Sequence, residues 1–150
     1  MSVTLKTIAY SCVPQVTAGV PHTYQEPVDA VCNIVKADFV LTVVFRIRPG
    51  FKTDGASIPR MFRWFLPSWS ETDFLYNLGS TIHDALYIHK GFGLFSREEC
   101  DDILRGIWRE SGIGRFKAGV ADKCVEWFAG GSKHFGNDGY NVGNLVELEF

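Results

Sequence analysis

The stretch Asp73-Phe74-Leu75-Tyr76-Asn77-Leu78-Gly79-Ser80-Thr81-Ile82-His83-Asp84-Ala85-Leu86-Tyr87-Ile88 is where the chain changes period. Its apolar residues Phe74, Leu75, Leu78, Ile82, Ala85 and Leu86 recur close to the 3.6-residue helical repeat. Upstream the pattern is different. Val3–Tyr10, Ala30–Val35 and Phe39–Ile47 are rich in Val, Ile, Thr and Phe, the composition of strands. The third segment ends in the apolar/charged alternation of a half-buried strand. Pro14, Pro21 and Pro27 punctuate the connections, and Pro49-Gly50 marks a turn. Phe51 to Pro59 reads as a loop or a short extended piece, with Pro59 biasing Ile58 away from helix.

Downstream of the opening stretch, Gly91 and Gly93 end the helix. Ser96-Arg97-Glu98-Glu99 is a capping-box signature, with Ser96 as N-cap and Glu99 at N3. The helix it starts is predicted to run to about Ser111 and to stop at Gly112. A third helix is predicted over Arg115–Ala129, stopped by Gly130-Gly131, and Val142–Phe150 reads as a final strand. The chain shows no internal repeat, low-complexity tract or linker. The expectation is one α+β domain over residues 1–150. An N-terminal antiparallel sheet, with a possible C-terminal strand, packs on about three helices.

Composition narrows the function classes. With 46% hydrophobic and 21% charged residues the 150-residue chain is globular and long enough to bury its own core. The net charge of −2 comes without a basic block, which argues against a nucleic-acid partner. Cys12, Cys32, Cys100 and Cys124 form no CxxC pair, so a zinc knuckle is not expected. Cys100 and Cys124 fall in predicted helices, where reduced thiols pack as small hydrophobes. The first residues, Met1-Ser2-Val3-Thr4-Leu5-Lys6, lack a basic-then-apolar signal pattern, and no apolar run reaches the roughly 20 residues of a transmembrane helix. The expected compartment at synthesis is reducing.

The predicted central helix carries His83, Asp84 and Tyr87 among apolar residues, where polar groups are costly to bury without partners. His83 and Tyr87 share a face, with Leu75, Gly79 and Leu86 beside them. Asp84 turns toward a neighbouring face, with Ser80 and Ile88. Gly79 gives a ligand or another backbone close access to the imidazole, or simply packs. The short Lys90–Phe95 connection makes the two helices antiparallel neighbours, which brings Asp101 toward Tyr87 or His83. Asp101 and Asp102 are also favoured by the helix dipole at that end.

Three functional arrangements follow from these residues. In the first, His83 is a general base oriented by Asp101. In the second, His83, Asp84 and Asp54 ligate a metal, for which Zn²⁺ or Mn²⁺ suits mixed N/O ligands better than Ca²⁺. In the third, Asp84 and loop carbonyls near Gly50–Gly55 hold Ca²⁺ while His83 stays free as base. Against all three stands a purely structural reading. In it, His83 and Asp84 hydrogen-bond the Thr53–Ser57 loop and pin the sheet to the helices.

With these residues in view, the chain resembles a phage and prophage family of unknown function. The resemblance rests on Gly50-Phe51-Lys52-Thr53-Asp54-Gly55-Ala56-Ser57-Ile58-Pro59, then His83-Asp84-Ala85-Leu86-Tyr87, then Asp101 in the following helix. It spans about Arg46 to Phe128 and implies a phage or prophage origin. A more local similarity, over roughly twenty residues, is to the catalytic helices of secreted and viral phospholipases A2. That similarity implies His83 as general base, Asp84 as a calcium ligand and Asp101 as the residue orienting His83. The chain departs from those enzymes in lacking their Gly-rich calcium loop and their disulfides.

Two functions are expected from this reading. The first is a virion component, at the tail or baseplate, whose polar motif is mainly structural. It is made in the host cytoplasm, assembled into the particle, and partnered by other phage structural proteins or by its own copies. Strand addition through Val142–Phe150 is one route to self-association. The second is a small hydrolase acting on host lipid or cell envelope, with His83, Asp101 and Tyr87 at the catalytic centre. A divalent metal, Ca or Zn, would sit at Asp84 and Asp54. The aromatic run Met61–Trp69 either covers the core or meets a partner, with Trp69 its most exposed expected member. Trp108, Trp127 and Phe128 are expected in the core. His22, His89 and His134 receive no role.

Overall fold

The structure is a computed structural model, and it describes residues 3–53, 55, 69–111 and 146–149. The elements run β1 (Val3–Tyr10), β2 (His22–Thr23), β3 (Val28–Lys36), β4 (Phe39–Ile47), β5 (Lys52–Thr53), α1 (Phe74–Ile88), α2 (Arg97–Glu110) and β6 (Val146–Glu149). β1, β3, β4 and β6 form an antiparallel sheet in the order β1-β3-β4-β6. β2 and β5 pair separately as a two-stranded ribbon. The architecture is α+β, as the change of period implies. Two helices stand among the described residues, and the expected third, over Arg115–Ala129, lies outside them.

Alternation decides which face of the sheet is covered. Val28, Ala30, Cys32 and Ile34 of β3 and Val43, Phe45 and Ile47 of β4 are almost wholly buried. They meet Leu78, Ile82, Ala85 and Leu86 of α1 and Cys100, Ile103 and Ile107 of α2 in one apolar core. Each Val, Leu, Ile or Phe among them contributes about 1.5–3 kcal/mol on burial. α2 also packs on β1, closely enough that a Cβ built on Gly106 would stand 2.6 Å from Leu5 Cβ. Ion pairs join Arg46 to Glu149 and Arg48 to Glu147 across the last pairing of the sheet.

Both helices start at their sequence signals. Asp73 caps α1 by accepting from Tyr76 N–H. Ser96 and Glu99 form the reciprocal capping box of α2. Between them, Lys90, Gly91, Phe92 and Gly93 all have positive φ. Glycine adopts that region freely, whereas Lys90 and Phe92 each give up about 1–2 kcal/mol there. The reversal lays α2 back along α1 and sets the register in which their polar side chains meet.

Candidate functional site

α1 brings its polar side chains out on two faces, and the His83-Asp84 pair divides between them. On the face toward α2, His83 Nε2 donates to Asp101 Oδ1 at 2.7 Å. Tyr87 O–H donates to the same oxygen at 2.8 Å. The His83 and Tyr87 rings lie 4.3 Å apart between centroids, as expected one turn apart. Asp101 Oδ2 faces Arg97 Nη1 at 3.9 Å. Asp101 is 6% exposed and His83 8%, so the pair is nearly withdrawn from water. Burial, followed by the hydrogen bond and charge of Asp101, pushes the Tyr87 phenol well above its ordinary value. Tyr87 therefore stays protonated and keeps donating.

A carboxylate oxygen that accepts from Nε2 fixes the hydrogen on that nitrogen. Nδ1 then carries the lone pair, and no described residue bonds to it. The cluster is thus an oriented imidazole with one nitrogen committed and one uncommitted.

On the face toward the ribbon, Asp84 Oδ2 accepts from Thr53 Oγ1 at 2.5 Å. Thr53 Oγ1 in turn accepts from Gly55 N–H at 3.0 Å. One turn earlier, Thr81 Oγ1 donates to the Asn77 carbonyl at 3.0 Å and meets the Tyr24 hydroxyl at 2.7 Å. With the Thr81 hydrogen committed, Tyr24 is the donor. Burial pushes the Tyr24 phenol far up, so that donor persists. The structural reading expected both His83 and Asp84 on the Thr53 loop. Asp84 goes there, and the partner His83 shows is on α2.

Of the expected site residues, His83, Tyr87 and Asp101 come together in one cluster, and Asp84 stands one residue away on the adjoining face. Asp54 lies outside the described residues. Among the described residues no three His, Cys, Asp or Glu side chains converge as a metal-holding group. Gly79 serves packing: a Cβ there would meet Ile107 Cγ2 and Trp108 Cδ1, each at 3.0 Å. Trp69 is half-buried with its ring stacked on His22, 4.2 Å between centroids, and the rest of the aromatic run, 61–68, lies outside the described residues. His22, to which the sequence assigns no role, is buried, with Nδ1 3.0 Å from the Thr17 carbonyl. Its only sequence signal is its place before Thr23-Tyr24, in a strand of two residues.

No helix among the described residues is long and apolar enough to cross a membrane. Comparison with curated proteins finds no match, and comparison with solved structures finds none either. Residues 31–125, more than half of the chain, match a family described as protein of unknown function (DUF1353). The matched stretch contains Asp54, His83, Asp84, Tyr87 and Asp101, and begins downstream of His22.

Proposed function

The chain belongs to this family of unknown function, and on that footing we propose that it is a small phage hydrolase acting on host lipid or cell envelope, with His83 as general base. The observation that carries the reading is the uncommitted Nδ1 of an imidazole whose Nε2–H is held by Asp101. A water or hydroxyl at Nδ1 gives up its proton there as it attacks an ester or amide carbonyl, and the tetrahedral adduct then breaks its C–O or C–N bond as the alcohol or amine leaves with the proton returned from the imidazolium. The imidazolium that forms is stabilised by the Asp101 carboxylate through the existing hydrogen bond. Tyr87 holds the carboxylate in place from the other side. This is also the role that similarity to phospholipase A2 helices implies for His83 and Asp101. Asp84 and Asp54, the latter next in sequence to Thr53 that bonds Asp84, are the proposed carboxylate set for a divalent metal, Ca or Zn.

The resemblance of Gly50–Pro59, His83–Tyr87 and Asp101 to phage and prophage proteins supports a phage origin. Synthesis in the host cytoplasm and assembly into the virion tail or baseplate, on other phage proteins or on copies of itself, form a second reading. It is compatible with the first, since tail proteins can carry envelope-degrading activity. Phe39 and Val40, 70% and 62% exposed at the β3–β4 turn, favour it as contact residues. Mass spectrometry of purified particles tests it, and particles that lack the chain would end it.

The hydrolase reading is tested by incubating the protein with phospholipid vesicles and, separately, with purified peptidoglycan. Wild type releases fatty acid or soluble fragments from one of the two, and His83→Gln, folded by circular dichroism, does not. Cleavage of neither substrate, or a His83→Gln variant as fast as wild type, would overturn it.

A further inference from the structure

The four-stranded sheet packs only one of its faces on α1 and α2. Directly opposed residues of an antiparallel pair project to the same face. On the face turned away from the helices, Val35 stands between Thr4 and Val40, Asn33 between Thr7 and Thr42, and Val31 between Ala9 and Val44. Across β1, β3 and β4 none of these three rows holds a charged side chain. Their residues are exposed or half-buried, Val40 at 62% and Val31 at 36%. A sheet face left to water ordinarily alternates to polar and charged residues, whereas four valines grouped on one mark a surface made for contact.

The polar row through the middle is bonded within itself. Asn33 Nδ2 donates to Thr7 Oγ1, and Thr42 Oγ1 donates to Asn33 Oδ1, each at 2.7 Å. Covering that row therefore forfeits few hydrogen bonds to water. With about 4.8 Å between strands and about 3.3 Å per residue, the sheet face covers roughly 450–500 Å² in projection. Side-chain relief adds to that area, so two such faces together bury about 1,000 Å² or more, the lower range of a specific interface.

Charge appears only at the margins. Lys6, the bulged residue of β1, stands at one side. At the other, Asp29, Glu147 and Glu149 gather around Arg46 and Arg48, three carboxylates against two guanidinium groups. We propose that this face is where two copies of the chain meet, sheet on sheet, about a twofold axis parallel to the strands. That axis lays the β1 margin of each copy over the β6 margin of the other, Lys6 toward the excess carboxylate, and sets uncharged rows on uncharged rows. Twofold pairing of this kind keeps the strands of the two sheets nearly aligned. The proposal rests on the self-association of the second reading above and names the surface that performs it.

Sedimentation equilibrium of the purified full chain tests it. Wild type shows a monomer–dimer equilibrium at concentrations up to about 100 μM, as an interface of this size implies. Val31→Lys and Val40→Lys, both on the outward face and both folded by circular dichroism, weaken the dimer tenfold or more. A wild-type chain that stays monomeric overturns the proposal and leaves the face to a different protein. A dimer of unchanged affinity in both lysine variants also overturns it, since the copies then meet elsewhere, as at a strand edge. If one variant does not fold, the other decides alone. The measurement needs neither particles nor substrate, so its failure leaves the virion and hydrolysis tests standing, and theirs leaves this one.

Discussion

The two polar faces of α1 are built to different specifications. Toward the ribbon, Tyr24 donates to Thr81 and Thr81 to the Asn77 carbonyl, so that chain closes on the backbone. Toward α2, Asp101 collects the hydrogens of His83 and Tyr87, and the chain ends on a bare His83 Nδ1. The closed chain ties sheet, ribbon and helix together. The open one presents a basic nitrogen that folding does not use. Adjacent residues such as His83 and Asp84 are about 100° apart on a helix, and that rotation turns them to different faces.

The contrast predicts which substitutions affect rate and which affect stability. The largest expected effect is on rate. His83→Gln removes the proton acceptor and lowers hydrolysis by about 10²–10⁴-fold, while thermal unfolding moves little because Gln still donates toward Asp101. A large fall in melting temperature with an unchanged rate per folded molecule would merge the two faces into one structural lock. On the closed face, Thr81→Val removes the acceptor of a buried hydroxyl and costs about 1–3 kcal/mol of stability. Chemical denaturation checks that value, and the rate per folded molecule stays at wild type.

The smallest expected effect is at Glu99, in the first turn of α2. Burial raises its carboxyl, but the Ser96 N–H and the Lys36 ammonium outweigh burial and hold it below the ordinary range. A carboxyl lowered in the folded state adds stability above its unfolded value, near 4.3, and loses it as pH falls through the folded value. Glu99→Gln therefore costs about 1 kcal/mol at pH 7, and the gap from wild type narrows below about pH 4. A gap that is independent of pH would remove charge from the account of that contact.

Much of the fold was legible because its signals are local. β1 and β4 run over Val3–Tyr10 and Phe39–Ile47, the bounds their composition implies, and Ser96–Glu99 starts α2 as the capping box requires. The meeting of His83, Tyr87 and Asp101 was also legible, since helical spacing and a short reversal nearly force it. That His83 and Asp84 point to different faces was legible from helix rotation, but that Asp84 meets Thr53 while His83 does not was hidden, because it depends on where β5 lies against α1. His22 was invisible for the same reason. A two-residue strand carries no period, and the Thr17 carbonyl and Trp69 ring that orient it arrive only with tertiary structure.

The central claim is that His83 keeps a bare nitrogen in the resting protein. Nitrogen-resolved NMR of the imidazole, with His83→Gln to assign its signals, reads this directly. The account predicts hydrogen on Nε2, coupled to the Asp101 contact, and an unprotonated Nδ1 in the neutral ring. Hydrogen on Nδ1, with Nε2 bare, would contradict it.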